Sequence, residues 1–445
     1  MRFGTDGLRG PANAELTPEL ALRLGRAAAR VMGLPKWYIG RDPRRSGPML
    51  DGAVAAGLAA EGADVFDVGV MPTPGVAYLA SIHDAGAVIV SASHNPWHDN
   101  GLKIFGRGGH KLDDATQAAI EATLDGLASV DPSGDPHNVG WVHRDLDARV
   151  EYVTMLVDTL DGRTLDGLRI VLDCGHGAAS PVAGDAFRLA GASVEVMHAE
   201  PDGQNINDGV GSTDPRALAR RVVESGASLG LAFDGDADRL IAVDASGNTV
   251  DGDRLLCLFA IDLDRRQQLC DRTLVVTVMS NLGLHRAMQE RGINVEVTPV
   301  GDRYVLEALA AGNWSLGGEQ SGHLVFTSHA TTGDGILAGL LLSDLVARSN
   351  GDLGRMASEV METVPQLLVN VATRVRPEDP AADLEGEIEA ASRELGSGGR
   401  VLVRSSGTEP LVRVMVESTS AELARAIADR LEEAVCARYG MADTV

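Results

Sequence analysis

Lysine is almost missing from this chain. Among its 39 basic residues only Lys36, Lys103 and Lys111 are lysines, so nearly every fixed cation is an arginine. Cysteine is sparse too: Cys174, Cys257, Cys270 and Cys436 lie far apart and form no C-x-x-C pair. That spacing excludes a disulfide scaffold and a zinc ribbon, and it suits a reducing cytoplasm. No apolar run approaches the ~20 residues needed to cross a bilayer, since Gly335–Leu342 is broken at once by Ser343 and Asp344. Asp6 and Arg9 stand where a secretory signal needs unbroken apolar sequence, so neither a leader nor a membrane partner is expected. There is no basic stripe: 63 acidic against 39 basic residues leave a net charge of −24, which argues against a nucleic-acid partner. The acidity serves solubility. It does not exclude a phosphorylated substrate, because screening over ~8 Å lets local cations outweigh the global charge.

What is present is an ordinary globular composition, 44% hydrophobic and 23% charged, over 445 residues. At ~100–200 residues per domain this predicts about three domains, or four small ones. Three segments repeat one grammar of apolar strand, polar or glycine-rich loop, helix-compatible run, glycine and short strand. They start at Trp37-Tyr38-Ile39-Gly40, Arg169-Ile170-Val171-Leu172-Asp173 and Thr273-Leu274-Val275-Val276-Thr277. Each is a β-α-β unit, which predicts mostly parallel sheets in three related tandem α/β domains. The fourth part differs, with Val401–Arg404 and Leu411–Glu417 reading as a hairpin around Ser405–Pro410. A helix follows with Thr419 and Glu422 spaced as a capping box, so this part is a smaller α+β domain. Linkers are expected at Asp131–Gly140, Ala245–Asn248 and near Glu362–Gln366.

Four stretches carry chemistry. After the strand Ala87–Val90 come Ser91-Ala92-Ser93-His94-Asn95-Pro96, then Asp99-Asn100-Gly101 and a strand containing Lys103. Asn-Pro turns the chain, and Asn-Gly can turn it back as a hairpin. A serine here can act as a nucleophile or phosphoryl carrier, with His94 and Lys103 near enough to manage protons. The plainer alternative is a polar turn with a snorkelling lysine. The second stretch, Asp234-Gly235-Asp236-Ala237-Asp238-Arg239, concentrates carboxylates that repel one another unless a cation sits among them. Oxygen-only ligands favour a hard ion such as Mg²⁺. An EF-hand is excluded, because its sixth and twelfth positions fall on Arg239 and Ala245. The third stretch, Gly317-Gly318-Glu319-Gln320-Ser321-Gly322-His323, offers groups that can read a sugar, or a polar hairpin loop. The fourth is Arg404-Ser405-Ser406-Gly407-Thr408-Glu409-Pro410 with Arg413. If Arg404 pairs with Leu411, Arg413 pairs with Leu402, and both arginines become diagonal neighbours on one face. An anion would then bridge them, with Ser406, Thr408 and the Gly407 N–H completing a cradle.

Together with Gly4-Thr5-Asp6-Gly7-Leu8-Arg9-Gly10, these motifs, in this order, resemble the α-D-phosphohexomutase superfamily, most closely its bacterial glucosamine-phosphate branch. The branch rests on Gln320 and on Val300-Gly301-Asp302-Arg303-Tyr304-Val305. Trp97, Ala237 and Ser405 depart from the family pattern; at 237 the family usually has glycine. The resemblance implies four domains around a central cleft, here 1–145, 146–246, 247–362 and 363–445. It implies a phosphoserine at Ser93 rather than Ser91, and Mg²⁺ on Asp234, Asp236, Asp238 and that phosphate. Arg9 and Arg239 would steady the serine phosphate, and Lys103 or His94 would move protons. Glu319, Gln320, Ser321 and His323 would bind the sugar. Arg404, Ser406, Gly407, Thr408 and Arg413 would hold the second phosphate. The implied reaction interconverts glucosamine 6-phosphate and glucosamine 1-phosphate through glucosamine 1,6-bisphosphate, in a monomer or homodimer. Three alternatives stand beside it: a phosphomannomutase/phosphoglucomutase, a haloacid-dehalogenase-type phosphatase using Asp234-x-Asp236, and a sugar-phosphate sensor. The phosphatase motif wants Thr or Val at position 237, where this chain has Ala.

Overall fold

The computed structural model describes residues 4, 7–127, 135–349, 352–406 and 410–440. The chain divides into two compact units, Met1–Thr277 with Glu296–Ser358, and Val278–Val295 with Glu359–Val445. The larger unit carries mixed sheets flanked by helices, and the smaller an antiparallel sheet. Among the described residues no helix is long and apolar enough to cross a membrane.

The first sheet runs Leu8–Pro11, Asp99–Phe105, Gly86–Val90, Lys36–Arg41, Asp64–Val70, Val142–Arg144. Its first repeat is as expected: Lys36–Arg41 and Asp64–Val70 pair in parallel, joined through the helix Gly47–Ala59. Gly86–Val90 is buried along its whole length, which explains its unbroken apolar sequence. Asn100-Gly101 is not a turn. Both lie inside the strand Asp99–Phe105, which runs antiparallel to Gly86–Val90. The reversal occurs earlier, where the Asn95 N–H donates to Ala92 and the Asp99 N–H to Pro96. Gly101 is needed for clearance, since a Cβ there would sit 2.4 Å from the Ser91 carbonyl oxygen.

The second sheet runs Thr249–Val250, Leu240–Asp244, Leu229–Phe233, Arg169–Asp173, Ser193–Met197. The stretch 245–248 is a tight turn. It closes a hairpin in which Asp244 Oδ1 accepts from the Ser246 and Asn248 N–H groups at 2.8 and 2.9 Å, the self-bonding that makes aspartate a turn former. The third sheet runs Asn294–Thr298, Thr273–Thr277, Leu316–Gly318, Leu324–Phe326.

In the smaller unit Gln366–Ala372 and Gly399–Ser405 flank Leu411–Ser418, all antiparallel. Val403, Val412, Val414 and Val416 pack with Ile427 and Leu431 of the helix Ala421–Tyr439. That helix is capped by Ser420, whose Oγ accepts from the Leu423 N–H at 3.3 Å, so its cap lies one residue beyond Thr419.

Candidate active site

The buried strand Gly86–Val90 delivers Ser91, Ala92 and Ser93 to its C-terminal end. Ser93 is 1% exposed and has φ 51°, the left-handed region that non-glycine residues enter at a cost. Its Oγ donates to Asp234 Oδ2 at 2.5 Å and lies 3.4 Å from His94 Nδ1. The two serines are distinguished by their partners. Ser91 Oγ donates to Asp42 Oδ2 at 2.6 Å and accepts from the Ser93 N–H at 2.9 Å, so its hydroxyl is committed internally.

Lys103 lies opposite Ile89 in the strand pair. Its neighbours Leu102 and Ile104 join the core with Val88 and Val90, so alternation turns Lys103 to the other face. There Nζ sits 2.9 Å from Asp236 Oδ2 and 3.7 Å from Asp238 Oδ2, and the residue is only 2% exposed. It does not snorkel.

The aspartates follow the buried strand Leu229–Phe233. Ala237, at φ 59°, closes the loop by donating its N–H to the Asp234 carbonyl at 3.1 Å, and the Arg239 N–H donates to Asp234 Oδ1 at 3.2 Å. One carboxylate oxygen from each of Asp234, Asp236 and Asp238 lies within 4.8 Å of the others. Asp236 Oδ1 and Asp238 Oδ1 are buried and accept no hydrogen bond. Burial, reinforced by Asp238 and Asp236, pushes the Asp234 carboxyl well above its ordinary range. Burial opposes ionisation of Asp238 as well, but Lys103, His323 and Arg239 outweigh it and hold that carboxyl low. Buried, oxygen-only, mutually repelling donors with two oxygens to spare fit a hard divalent cation.

His94 lies at the surface by exposed area, but neighbouring groups crowd around its ring. That burial, then Arg239 and Arg9, pushes its pKa down to about 4 and keeps it neutral near pH 7. Arg9 stands on the strand Leu8–Pro11, paired opposite Gly101.

In the third loop, Glu319 Oε1 accepts from the Gly301 N–H at 3.0 Å and Oε2 from Ser321 Oγ at 3.2 Å. The Gln320 carbonyl accepts from the Gly252 N–H at 3.1 Å, and Ser321 is exposed. His323, expected to read the sugar, is placed differently. It is 1% exposed, bridged through its backbone to Arg239, with Nδ1 3.7 Å from Asp238 Oδ2. Burial would lower its pKa, but Asp238 outweighs burial and raises it.

In the smaller unit the register differs from expectation. Arg404 pairs directly with Arg413, and Leu402 with Met415. The strand continues one residue further, to Ser405, because the Ser406 N–H still reaches the Leu411 carbonyl at 2.9 Å. The arginines are therefore a directly opposed like-charge pair. Ser406 is buried, while Gly407 and Thr408 lie outside the described residues.

Residues with no motif of their own complete the larger unit's site. Thr73 Oγ1 donates to Asp236 Oδ2 at 2.7 Å, and its N–H to the Asp236 carbonyl at 3.0 Å. Asn207 Nδ2 donates to the Ser93 carbonyl at 2.9 Å. Arg44, wholly buried, donates Nη2 to the carbonyls of Ser93 and Asn95, both at 2.8 Å. A signal existed for Arg44: Arg41-Asp42-Pro43-Arg44 crowds charge at the C-terminal end of a buried parallel strand, where α/β sheets bind ligands.

Comparison with known proteins agrees with this architecture. The chain matches phosphoglucomutase/phosphomannomutase alpha/beta/alpha domain I over residues 1–130, domain II over 150–247 and domain III over 251–364. It matches the family's C-terminal domain over 368–434. The chain belongs to the phosphoglucomutase/phosphomannomutase family, the α-D-phosphohexomutases. Among its relatives, the phosphoglucosamine mutase of Rhodococcus opacus is 52% identical, over 96% of this chain and 98% of that protein. The phosphoglucosamine mutase of Thermobifida fusca is also 52% identical, over 97% of both chains. A phosphoglucomutase/phosphomannomutase family protein from Burkholderia thailandensis superposes with TM-score 0.81 at 26% identity, covering 98% of each chain. Aspergillus fumigatus N-acetylphosphoglucosamine mutase in complex with GlcNAc-6P and magnesium shares the fold, with TM-score 0.70 at 19% identity, over 98% of this chain and 95% of that one.

Proposed function

We propose that the chain acts as a phosphoglucosamine mutase, interconverting glucosamine 6-phosphate and glucosamine 1-phosphate, with domains at 1–145, 146–246, 247–362 and 363–445. One observation carries the chemistry: a buried left-handed serine whose hydroxyl meets a cage of three buried aspartates. In the working enzyme Ser93 carries a phosphoryl group. The sugar O1 attacks that phosphorus, the P–Oγ bond breaks, and glucosamine 1,6-bisphosphate forms. The sugar then turns over, and Ser93 takes back the phosphoryl group from O6. The proton of the attacking hydroxyl passes to His94, already neutral, or is exchanged at Lys103, whose ammonium first gives a proton to the departing Ser93 Oγ.

Asp234, Asp236 and Asp238 would hold Mg²⁺, which when bound neutralises charge on the transferring group. Arg9 and Arg239 steady the serine phosphate, and Glu319, Gln320 and Ser321 bind the sugar. His323 sets the orientation of Asp238. Arg404, Ser406, Gly407, Thr408 and Arg413 hold the phosphate that is not transferred, which explains two arginines directly opposed. The enzyme works in the cytoplasm on a small hexosamine phosphate, as a monomer or a homodimer.

The test is intact-mass and peptide analysis of the purified protein, with turnover measured on glucosamine, mannose and glucose phosphates. Phosphate on Ser93, lost in Ser93→Ala together with glucosamine 6-phosphate turnover, is the expected result. Preference for the neutral sugars would move the assignment to phosphomannomutase/phosphoglucomutase. Steady phosphate release without phosphoserine would move it to a phosphatase.

A further inference from the structure

We propose that Asp42 and Arg44 are positioning residues that aim Ser93 for phosphoryl transfer, an inference that rests on the phosphoserine role given above. Arg44 is 0% exposed, and a buried guanidinium is tolerated only when fully bonded. Its Nε donates to Asp42 Oδ2 at 2.8 Å. Nη2 donates to the carbonyls of Ser93 and Asn95 at 2.8 Å each, and Nη1 to those of Asp99, at 3.1 Å, and Pro96. One planar fork therefore gathers carbonyls from both limbs of the loop. Asp42 holds the other side of the same serine: its Oδ2 takes the Ser91 hydroxyl, which accepts the Ser93 N–H. Both peptide groups of Ser93 are thus tied to one dyad, directly through its carbonyl and through Ser91 at its N–H.

A left-handed residue just past a strand end has no ladder partner to hold its peptide planes, and here side chains supply what a ladder would. Asn207 adds a second donor to the Ser93 carbonyl from the neighbouring sheet's loops. The result is a nucleophile whose Oγ direction is set before substrate arrives. That matters more than usual here, because one Oγ must give a phosphoryl group to one sugar oxygen and take it from another. A displacement of about 1 Å costs on the order of 10²-fold in rate. Lysine cannot substitute for Arg44, since a compact ammonium does not span the spacing that the fork spans.

The test uses the full-length enzyme carrying Arg44→Lys, Ser91→Ala, or both, with turnover of glucosamine 6-phosphate expressed per phosphorylated Ser93 counted by intact mass. Arg44→Lys is expected to lower kcat about 10²-fold while KM changes by less than about threefold. Ser91→Ala is expected to lower kcat about tenfold, and the double variant to lose no more than Arg44→Lys alone, because both act through one aim. A role confined to stability would lower the melting temperature and the active fraction but leave kcat per phosphoserine unchanged, and that outcome overturns the proposal. So does a loss carried by KM. If Arg44→Lys does not fold, Ser91→Ala and Asn207→Ala decide by the same kcat criterion. A protein that turns over without phosphate on Ser93 refutes the phosphoserine reading; a phosphorylated protein unimpaired by these substitutions refutes the positioning alone.

Discussion

Replacing Lys103 with methionine keeps the length of the side chain and removes its charge. In the native protein Nζ lies 2.9 Å from Asp236 and 3.7 Å from Asp238, and the three side chains are 2%, 1% and 6% exposed. Removing one partner from a buried ion pair costs about 3–5 kcal/mol, because the other charge stays buried. Asp236 retains its 2.7 Å bond from Thr73, and Asp238 retains Arg239 and His323 nearby, so the low end, about 3 kcal/mol, is expected. The same carboxylates are the proposed cation site, and a cation of two charges would relieve the repulsion that Lys103 relieves. The variant should therefore gain more from saturating Mg²⁺ than the parent does, and the stability gap seen in EDTA should narrow. Denaturant unfolding of the larger unit in EDTA and in Mg²⁺ measures both quantities. Equal stability of parent and variant in EDTA would refute the counter-ion role, and a gap unchanged by Mg²⁺ would refute the shared site.

Asp334 caps the helix Gly335–Arg348 and is buried, which raises its carboxyl to about 6 from an ordinary 3.8. The folded state then binds more protons than the unfolded one between those values, so stability falls as pH rises through that window, by about 3 kcal/mol in all. Asp334→Asn removes that penalty while the amide oxygen still caps. The variant should be the more stable by about 2 kcal/mol at pH 8, with the gap closing toward pH 4 in parallel urea titrations; a gap independent of pH would refute it. Arg413→Thr relieves the like-charge pair with Arg404 and should stabilise the smaller unit by about 0.5–1 kcal/mol in low-salt, phosphate-free buffer. It should also abolish stabilisation by added inorganic phosphate, and equal phosphate shifts in both proteins would count against the cradle. Gly235→Ala places a Cβ 2.4 Å from the Ser93 carbonyl oxygen, so turnover should fall at least about tenfold in a protein that still folds.

Much of the fold was legible because its signals are local. Period-two alternation and the strand–helix–glycine–strand grammar follow from what a half-buried or wholly buried strand must look like, and the first two repeats form adjacent parallel strand pairs. What was not legible depends on clearance and register. Asn100-Gly101 has turn chemistry, yet Gly101 is glycine because the Ser91 carbonyl passes 2.4 Å from where its Cβ would be. A turn glycine and a close-packing glycine look the same in one dimension. The register of Arg404 against Arg413 turns on whether Leu411 lies opposite 404 or 406, and that two-residue slip keeps every side chain on its face while changing every cross-strand partner.

The candidate site divides along the same line. Ser93, Lys103 and the aspartates stand out because each is anomalous where it occurs: a lysine in an apolar strand in a chain almost without lysine, and carboxylates crowded between apolar strands. Ala237 stands out because the family usually has glycine there, and it does occupy a left-handed position. The Gly335 N–H donates to the Ala237 carbonyl at 3.0 Å, so the backbone is held from a second element in spite of the Cβ. Arg44 carries only the weaker signal of charge crowded past the end of Lys36–Arg41. It is one arginine in a chain rich in arginine, 49 residues from Ser93, and only the meeting of loops around it makes it wholly buried. A net charge of −24 says nothing of this site, where Lys103, Arg44, Arg9 and Arg239 gather about one serine and its aspartates. Cations buried or half-buried at hydrogen-bonding range act through short distances and poor screening, and so decide the local field against a surface charge many times larger.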